Sequence, residues 1–250
     1  TSLDFIKDKI GIKIIKQLNR FTSCGNFGDG AMNPECVEIY SWARQVNSRA
    51  VLILHSNGGA RNKEFEADWG KKFGVKHAIS MNSCASTLHV AIQASGITGE
   101  VILPSFTFVA SANAVITAGA IPVFADIDPD TLNIDPKSIE ALITDKTEAI
   151  MPVHWAGQVA DMTAIMELAE KHNLVIIEDS AETIGGTHKG QLGGTWGIGC
   201  YSFYPGKNMT TAEGGMFTTN DDTVAEKARI IMGHGISKTT LDRHEGKAQP

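Results

Sequence analysis

Cysteine is scarce in this 250-residue chain: Cys24, Cys36, Cys84 and Cys200 lie far apart, with no Cys-x-x-Cys pair among them. That spacing argues against a zinc site, so no metal is expected, and it suits a reducing cytoplasm better than a disulfide framework. Long runs of lysine or arginine are also lacking, with 22 basic residues against 28 acidic ones and a formal net charge of -6. The electrostatic footprint of a nucleic-acid partner is therefore missing. No apolar run is long enough to span a bilayer. Residues 1–20 alternate Lys and Asp with Ile and lack the uninterrupted apolar core of a signal peptide. These features set an expectation of a cytoplasmic protein with no membrane partner. Internal repeats and low-complexity stretches are absent, and no Gly-x-Gly-x-x-Gly follows a strand-like segment, which removes a simple NAD-binding reading. What is there is ordinary for a globular chain, 42% hydrophobic and 20% charged residues. The length allows one large α/β domain or one domain plus a smaller appendage.

From about Asn62 onward, helix-like and strand-like segments alternate. Phe65, Trp69 and Phe73 recur every fourth residue and make one apolar face on a helix over 62–73. Strands are expected at His77–Met81, Val101–Leu103, Ile121–Ala125, Glu148–Val153, Leu174–Ile177 and Met216–Thr219. Helices are expected at Ser83–Ser95, Val109–Ala118, Pro136–Leu142 and Met162–His172, the third opened by Asp135 as cap and Pro136 at its first position. Apolar strands separated by helices mark an α/β fold with a mainly parallel central sheet and helices on both faces. Active sites in such folds lie beyond the carboxyl ends of the strands. That rule directs attention to Met81-Asn82-Ser83, Pro104-Ser105-Phe106, Val153-His154 and Glu178-Asp179. The first sixty residues read as an N-terminal arm: turns at 26–30 and 56–59, a helix near Pro34–Gln45 and a possible strand at Ala50–Leu54. The expected division is an arm over 1–60 and a large domain over 61–250.

Three features could carry chemistry. Asp179 ends the apolar strand Val175-Ile176-Ile177-Glu178-Asp179, where a carboxylate meets a ligand or, equally, caps a following helix. Lys207 stands in Tyr204-Pro205-Gly206-Lys207-Asn208-Met209, flanked by aromatic and small residues. A lysine stem partly removed from water makes a better nucleophile toward carbonyls, although a lone loop lysine is usually just solvated. Glu213-Gly214-Gly215 follows, two glycines where backbone must approach something closely. Ser83 opens a helix in Asn82-Ser83-Cys84-Ala85-Ser86-Thr87, an arrangement that serves as an anion site or as an ordinary N-cap. An anion cradle, a carboxylate and a lysine at strand ends are the three fixtures that pyridoxal phosphate needs: the acid for the ring nitrogen, the amine for the aldehyde.

The motifs that bring a family to mind run from about Glu64 to Gly235. They are Pro104-Ser105-Phe106-Thr107-Phe108-Val109-Ala110, Pro122-Val123-Phe124-Ala125-Asp126-Ile127-Asp128, Pro152-Val153-His154-Trp155-Ala156-Gly157, Glu178-Asp179-Ser180-Ala181-Glu182, Ser202-Phe203-Tyr204-Pro205-Gly206-Lys207-Asn208, Glu213-Gly214-Gly215 and His234-Gly235. In these the sequence resembles the DegT/StrS sugar aminotransferases, pyridoxal 5'-phosphate enzymes that aminate keto sugars, usually attached to a nucleotide. The resemblance implies that Lys207 is the Schiff-base lysine and general acid/base, and that Asp179 pairs with the pyridinium nitrogen. It implies that Phe108, which on its own reads as core, stacks on the ring. Ser83, Cys84 and Ala85 hold the phosphate, with Ser202 adding a hydroxyl. Glu182 lies near the phenolic oxygen, and His154 lies close to the cofactor without an assigned role. The implied substrates are a keto sugar and an amino-acid donor such as glutamate, and the implied assembly is a homodimer.

Three departures qualify this picture. Ser83-Cys84-Ala85 replaces the usual Ser-Gly-Thr, so phosphate binding is expected to be weaker or to use Ser86. Glu182 stands where Gln is common. Family members also continue into a small C-terminal domain, which this chain is expected to lack. Lys207 itself favours transamination, because a branch that dehydrates keto sugars carries His there. The rival readings are a dehydratase or aromatising synthase on the same scaffold, and a truncated fragment that binds the cofactor or a partner without turnover.

Overall fold

A computed structural model describes the backbone of residues 20–24 and 51–55, and residues 60–233. Contacts divide the chain into two units, residues 1–65 with 240–250, and residues 66–239. In the first unit, β1 (Arg20–Cys24) pairs in parallel with β2 (Val51–His55), close to the strand expected at Ala50–Leu54. The expected helix at Pro34–Gln45 and the turns at 26–30 and 56–59 lie outside the described residues, as does His234-Gly235.

The second unit is built on seven strands: β3 (His77–Met81), β4 (Glu100–Pro104), β5 (Ile121–Ala125), β6 (Thr147–Ile150), β7 (Val175–Asp179), β10 (Ile198–Ser202) and β11 (Gly215–Thr219). Their order is β3-β11-β10-β7-β6-β4-β5, and only β11 runs against its neighbours. The short hairpin β8 (Thr187–His188) and β9 (Gln191–Leu192) stands apart. The helices are α1 (Ala60–Phe73), α2 (Cys84–Ser95), α3 (Val109–Thr117), α4 (Pro136–Leu142), α5 (Met162–His172) and α6 (Asp222–Met232). None of the described helices is long and apolar enough to cross a membrane.

Central strands are apolar throughout because both faces are covered. On one face Leu88 and Ile92 of α2, Ala114 and Val115 of α3, and Ala225 and Ala228 of α6 pack on Ile79, Val101, Ile177 and Phe217. On the other, Ile139 of α4 with Ile165 and Leu168 of α5 pack on Ile102, Ile150 and Ile176. The fourfold aromatic spacing of α1 has its expected effect. Trp69 and Phe73 stack at 4.2 Å; Trp69 meets the rings of Tyr201 and Phe203 edge-on, and Phe73 meets that of Tyr201. Helix starts follow their caps: Ser83, Asp135, Asp161 and Asp221 each accept a backbone N–H of the first turn.

One strand is shorter than its sequence suggests. β6 ends at Ile150 because Pro152 has no N–H to donate, and Val153 rejoins the sheet only as an isolated bridge to Asp179. The result of the whole topology is one crowded edge. The C-terminal ends of β3, β4, β7 and β10 meet the N-terminal end of the reversed β11, so Ser83, Ser105, Asp179, Ser202 and Gly215 fall on the same rim.

Candidate functional site

Asp179, the last residue of β7, is 5% exposed. A turn follows it, so it caps no helix. Its Oδ2 accepts the Ser111 hydroxyl at 2.7 Å, and its Oδ1 accepts the Ala181 N–H at 3.2 Å. The Cys84 thiol lies 3.9 Å from Oδ1 and 3.4 Å from the Cys200 carbonyl. Burial raises the pKa of this carboxyl. The bonds from Ser111 and Ala181 pull it back, and His154 and Lys207 act in the same direction. Burial, and then the charge on Asp179, push the Cys84 thiol well above its ordinary value. It therefore stays protonated and remains a donor.

Lys207 sits in the loop between β10 and β11, with its side chain 24% exposed and its Nζ 3.0 Å from Glu182 Oε1. The two line a cleft of about 220 Å³ with Ala156, Gly206 and Asn208. Glu182 uses both oxygens: Oε2 accepts the N–H of Ala156, which is held at φ 51, while the Glu182 carbonyl accepts Asn208 Nδ2. The positive charge on Lys207 favours the ionised form of Asp179.

Ser83 behaves as an N-cap, bonded to Ser86 N at 3.1 Å and to Ser86 Oγ at 3.0 Å. The first amides of α2, those of Cys84 and Ala85, precede the helix's own hydrogen bonds. Gly215 explains the glycine pair seen in the sequence. A Cβ there would come within 2.6 Å of the Ser83 carbonyl and 2.8 Å of Cys84 N. Ser202 is buried on the same rim, its Oγ accepting Tyr204 N at 3.4 Å. Phe108 is not core. It precedes α3 with its ring 73% exposed.

Sequence reasoning missed two groups. One is Ser111, on α3, fully buried against Asp179. The other is Glu178, whose side chain takes the opposite side of β7. Its carboxylate accepts Gly194, Trp196 and Gly197 N–H groups at 2.7–2.9 Å and pairs with His154 Nε2 at 3.0 Å. His154 Nδ1 accepts Ala160 N, so Nε2 carries the ring proton toward Glu178. His154, left without a role in the sequence, thus braces the loop before β10. Strand alternation in Glu178-Asp179 was the one available signal, since it sends the two carboxyls to opposite faces.

These groups fit pyridoxal phosphate. A buried carboxylate suits a ring nitrogen, a cleft lysine suits an aldehyde, a helix N-terminus backed by Gly215 suits a phosphate, and the exposed Phe108 at the start of α3 suits stacking. Among the described residues no cluster could hold a metal ion. The fold is that of aminotransferases of the pyridoxal-phosphate class. The chain belongs to the DegT/DnrJ/EryC1/StrS aminotransferase family, whose family model matches residues 45–248. It is 50% identical over 176 residues to a GDP-perosamine synthase of Caulobacter vibrioides, covering 69% of this chain and 47% of that protein. An aminotransferase structure from Psychrobacter cryohalolentis matches with TM-score 0.70 and 44% identity over 75% of this chain and 48% of its own. The structure of NtdA from Bacillus subtilis with bound cofactor PMP matches with TM-score 0.63 and 33% identity, over 67% of this chain and 39% of its own. The chain spans about half the length of the curated relatives it matches.

Proposed function

We propose that this chain is the cofactor-binding portion of a pyridoxal 5'-phosphate-dependent aminotransferase that moves an amino group from an amino acid, glutamate, to a keto sugar carried on a nucleotide. The observation that supports this reading is a cleft lined by Lys207 and Glu182, together with buried Asp179 at the end of β7 on the rim that also carries Ser83, Ser202 and Gly215. Similarity to a GDP-perosamine synthase supports the sugar class of the acceptor. Lys207 in place of His supports transamination over dehydration.

Bound here, the cofactor supplies an aldehyde and an electron-withdrawing ring. The chain's own groups do the rest. Asp179, oriented by the Ser111 and Ala181 donors, would accept a hydrogen bond from the protonated ring nitrogen. Ser83, Cys84 and Ala85, with Ser202, hold the phosphate. Phe108 covers one ring face and excludes water there. Glu182 orients Lys207 through its 3.0 Å contact with Nζ and would lie toward the cofactor's phenolic oxygen, and the Lys207 amine would serve as the general acid/base. The whole protein is expected to be a cytoplasmic homodimer, with residues 1–60 an N-terminal arm and 61–250 the cofactor-binding large domain.

The test is spectroscopic and chemical. Reconstituted protein develops a visible absorption band, borohydride fixes the cofactor mass on the peptide containing Lys207, and Lys207→Ala abolishes both. With glutamate and a nucleotide-linked keto sugar, 2-oxoglutarate is released. A band without 2-oxoglutarate overturns the transaminase assignment. No band at all overturns the cofactor assignment.

A further inference from the structure

We infer that Ser111 is a positioning residue that keeps Asp179 ionised and fixes the orientation of its carboxylate. The inference rests on the reading of Asp179 as the acid that faces the cofactor's ring nitrogen. A hydroxyl has one proton to give, and the three oxygens around this one decide its direction. Ser111 Oγ lies 2.7 Å from Asp179 Oδ2, 2.8 Å from Thr107 Oγ1 and 3.2 Å from the Phe108 carbonyl. An anion is the strongest acceptor of the three, so the Ser111 proton goes to Asp179. Thr107 then donates its own proton to Ser111 Oγ, forming a chain of hydroxyls that points at the carboxylate.

The chain is embedded in the fold. Ser111 and Asp179 are both buried, Ser111 completely, and α3 delivers Ser111 one turn after Phe108. The residue that presents the exposed ring and the residue that holds the acid therefore share a single helix start. With Ser111 on Oδ2 and Ala181 N on Oδ1, neither oxygen is free to rotate, and the carboxylate plane is set before any ligand arrives. Every group facing Asp179 agrees with this assignment. Cys84 from α2 and Cys200 from β10 are thiols that burial keeps neutral, and His154 and Lys207 favour the charged acid, but Ser111 makes the strongest of the stabilising contacts. Without Ser111, desolvation is opposed chiefly by one backbone amide.

Two measurements test this, one of which needs no cofactor. In cofactor-free protein with carboxyl-labelled aspartate, nuclear magnetic resonance follows the titration of Asp179, assigned through its loss in Asp179→Asn. Ser111→Ala moves the midpoint to higher pH, and Ser111→Thr restores it. In reconstituted protein, Ser111→Ala weakens pyridoxal phosphate binding about tenfold, as loss of a charge-assisted bond does. Retention of the visible band on acidification fails at higher pH than in wild type, and Ser111→Thr again restores both. Should Ser111→Ala not fold, Ser111→Cys takes its place, a weaker donor whose midpoint falls between wild type and a lost bond. A wild-type midpoint in the Ala or Cys variant, or a Thr variant that behaves like Ala, overturns the inference. A wild-type chain that takes up no cofactor overturns the functional reading instead, and the cofactor-free titration still decides the role of Ser111.

Discussion

Two acidic neighbours on β7 show how burial is managed one side chain at a time. Glu178 is satisfied by three backbone amides and His154, so it is a brace. Asp179 keeps one face for a ligand, and its burial costs stability. Its raised pKa means the folded chain holds that proton more tightly than the unfolded chain does. The contribution of Asp179 to stability is greatest below the ordinary carboxylate range and is lost as pH rises through the raised value. Asp128, Glu140 and Asp222 have lowered values and act with the opposite sign, losing stability as pH falls. Denaturation of the cofactor-free chain across the acid range, in wild type and Asp179→Asn, separates the two. The variant is expected to gain on wild type as pH rises. At this scale the sequence offered Lys207 and Asp179 as candidates, one in the loop after β10 and one at the end of β7, because their residue types suit chemistry at the active edge of a sheet. It hid Ser111, a small hydroxyl in the Ala-rich run Val109-Ala110-Ser111-Ala112-Asn113-Ala114, where nothing but packing distinguishes it.

Among elements, legibility followed hydrophobic pattern. The strands at 77–81 and 121–125 and the helices at 136–142 and 162–172 lie where period and caps put them. β10 escaped notice because Gly197 and Gly199 make it look like loop. The reason for those glycines is close approach: a Cβ at Gly199 would strike the Gly194 carbonyl and the Thr218 hydroxyl. α6 escaped because Asp222, Glu226 and Lys227 dilute its apolar face. β11 carries the clearest engineering test. Gly215→Ala forces a methyl group into the Ser83–Cys84 backbone, so the start of α2 must shift. We expect a stability loss of about 1–3 kcal/mol and a disproportionate loss of pyridoxal phosphate affinity. Thermal unfolding and equilibrium titration would read the two effects separately. An equal affinity in variant and wild type would detach the cradle from phosphate binding.

For the molecule as a whole, the cofactor should act as a stabiliser by mass action. At a hundredfold excess over its dissociation constant, pyridoxal phosphate should add about 2.7 kcal/mol to the folded state, visible as a rise in melting temperature that Lys207→Ala diminishes. The placement of β11 adds a constraint on time. Among the described residues β3 has no sheet partner other than β11, and β11 is the last of the seven strands in sequence, reaching back across most of the unit to sit between β3 and β10. Closing so long a loop is slow relative to forming local pairs. During synthesis, then, the earliest strand of the sheet waits unpaired until the final one emerges, and the two halves of the ligand rim meet only at that moment. If the rim holds the cofactor as proposed, a nascent chain that has acquired it has, by the same act, reported that these seven strands are in place.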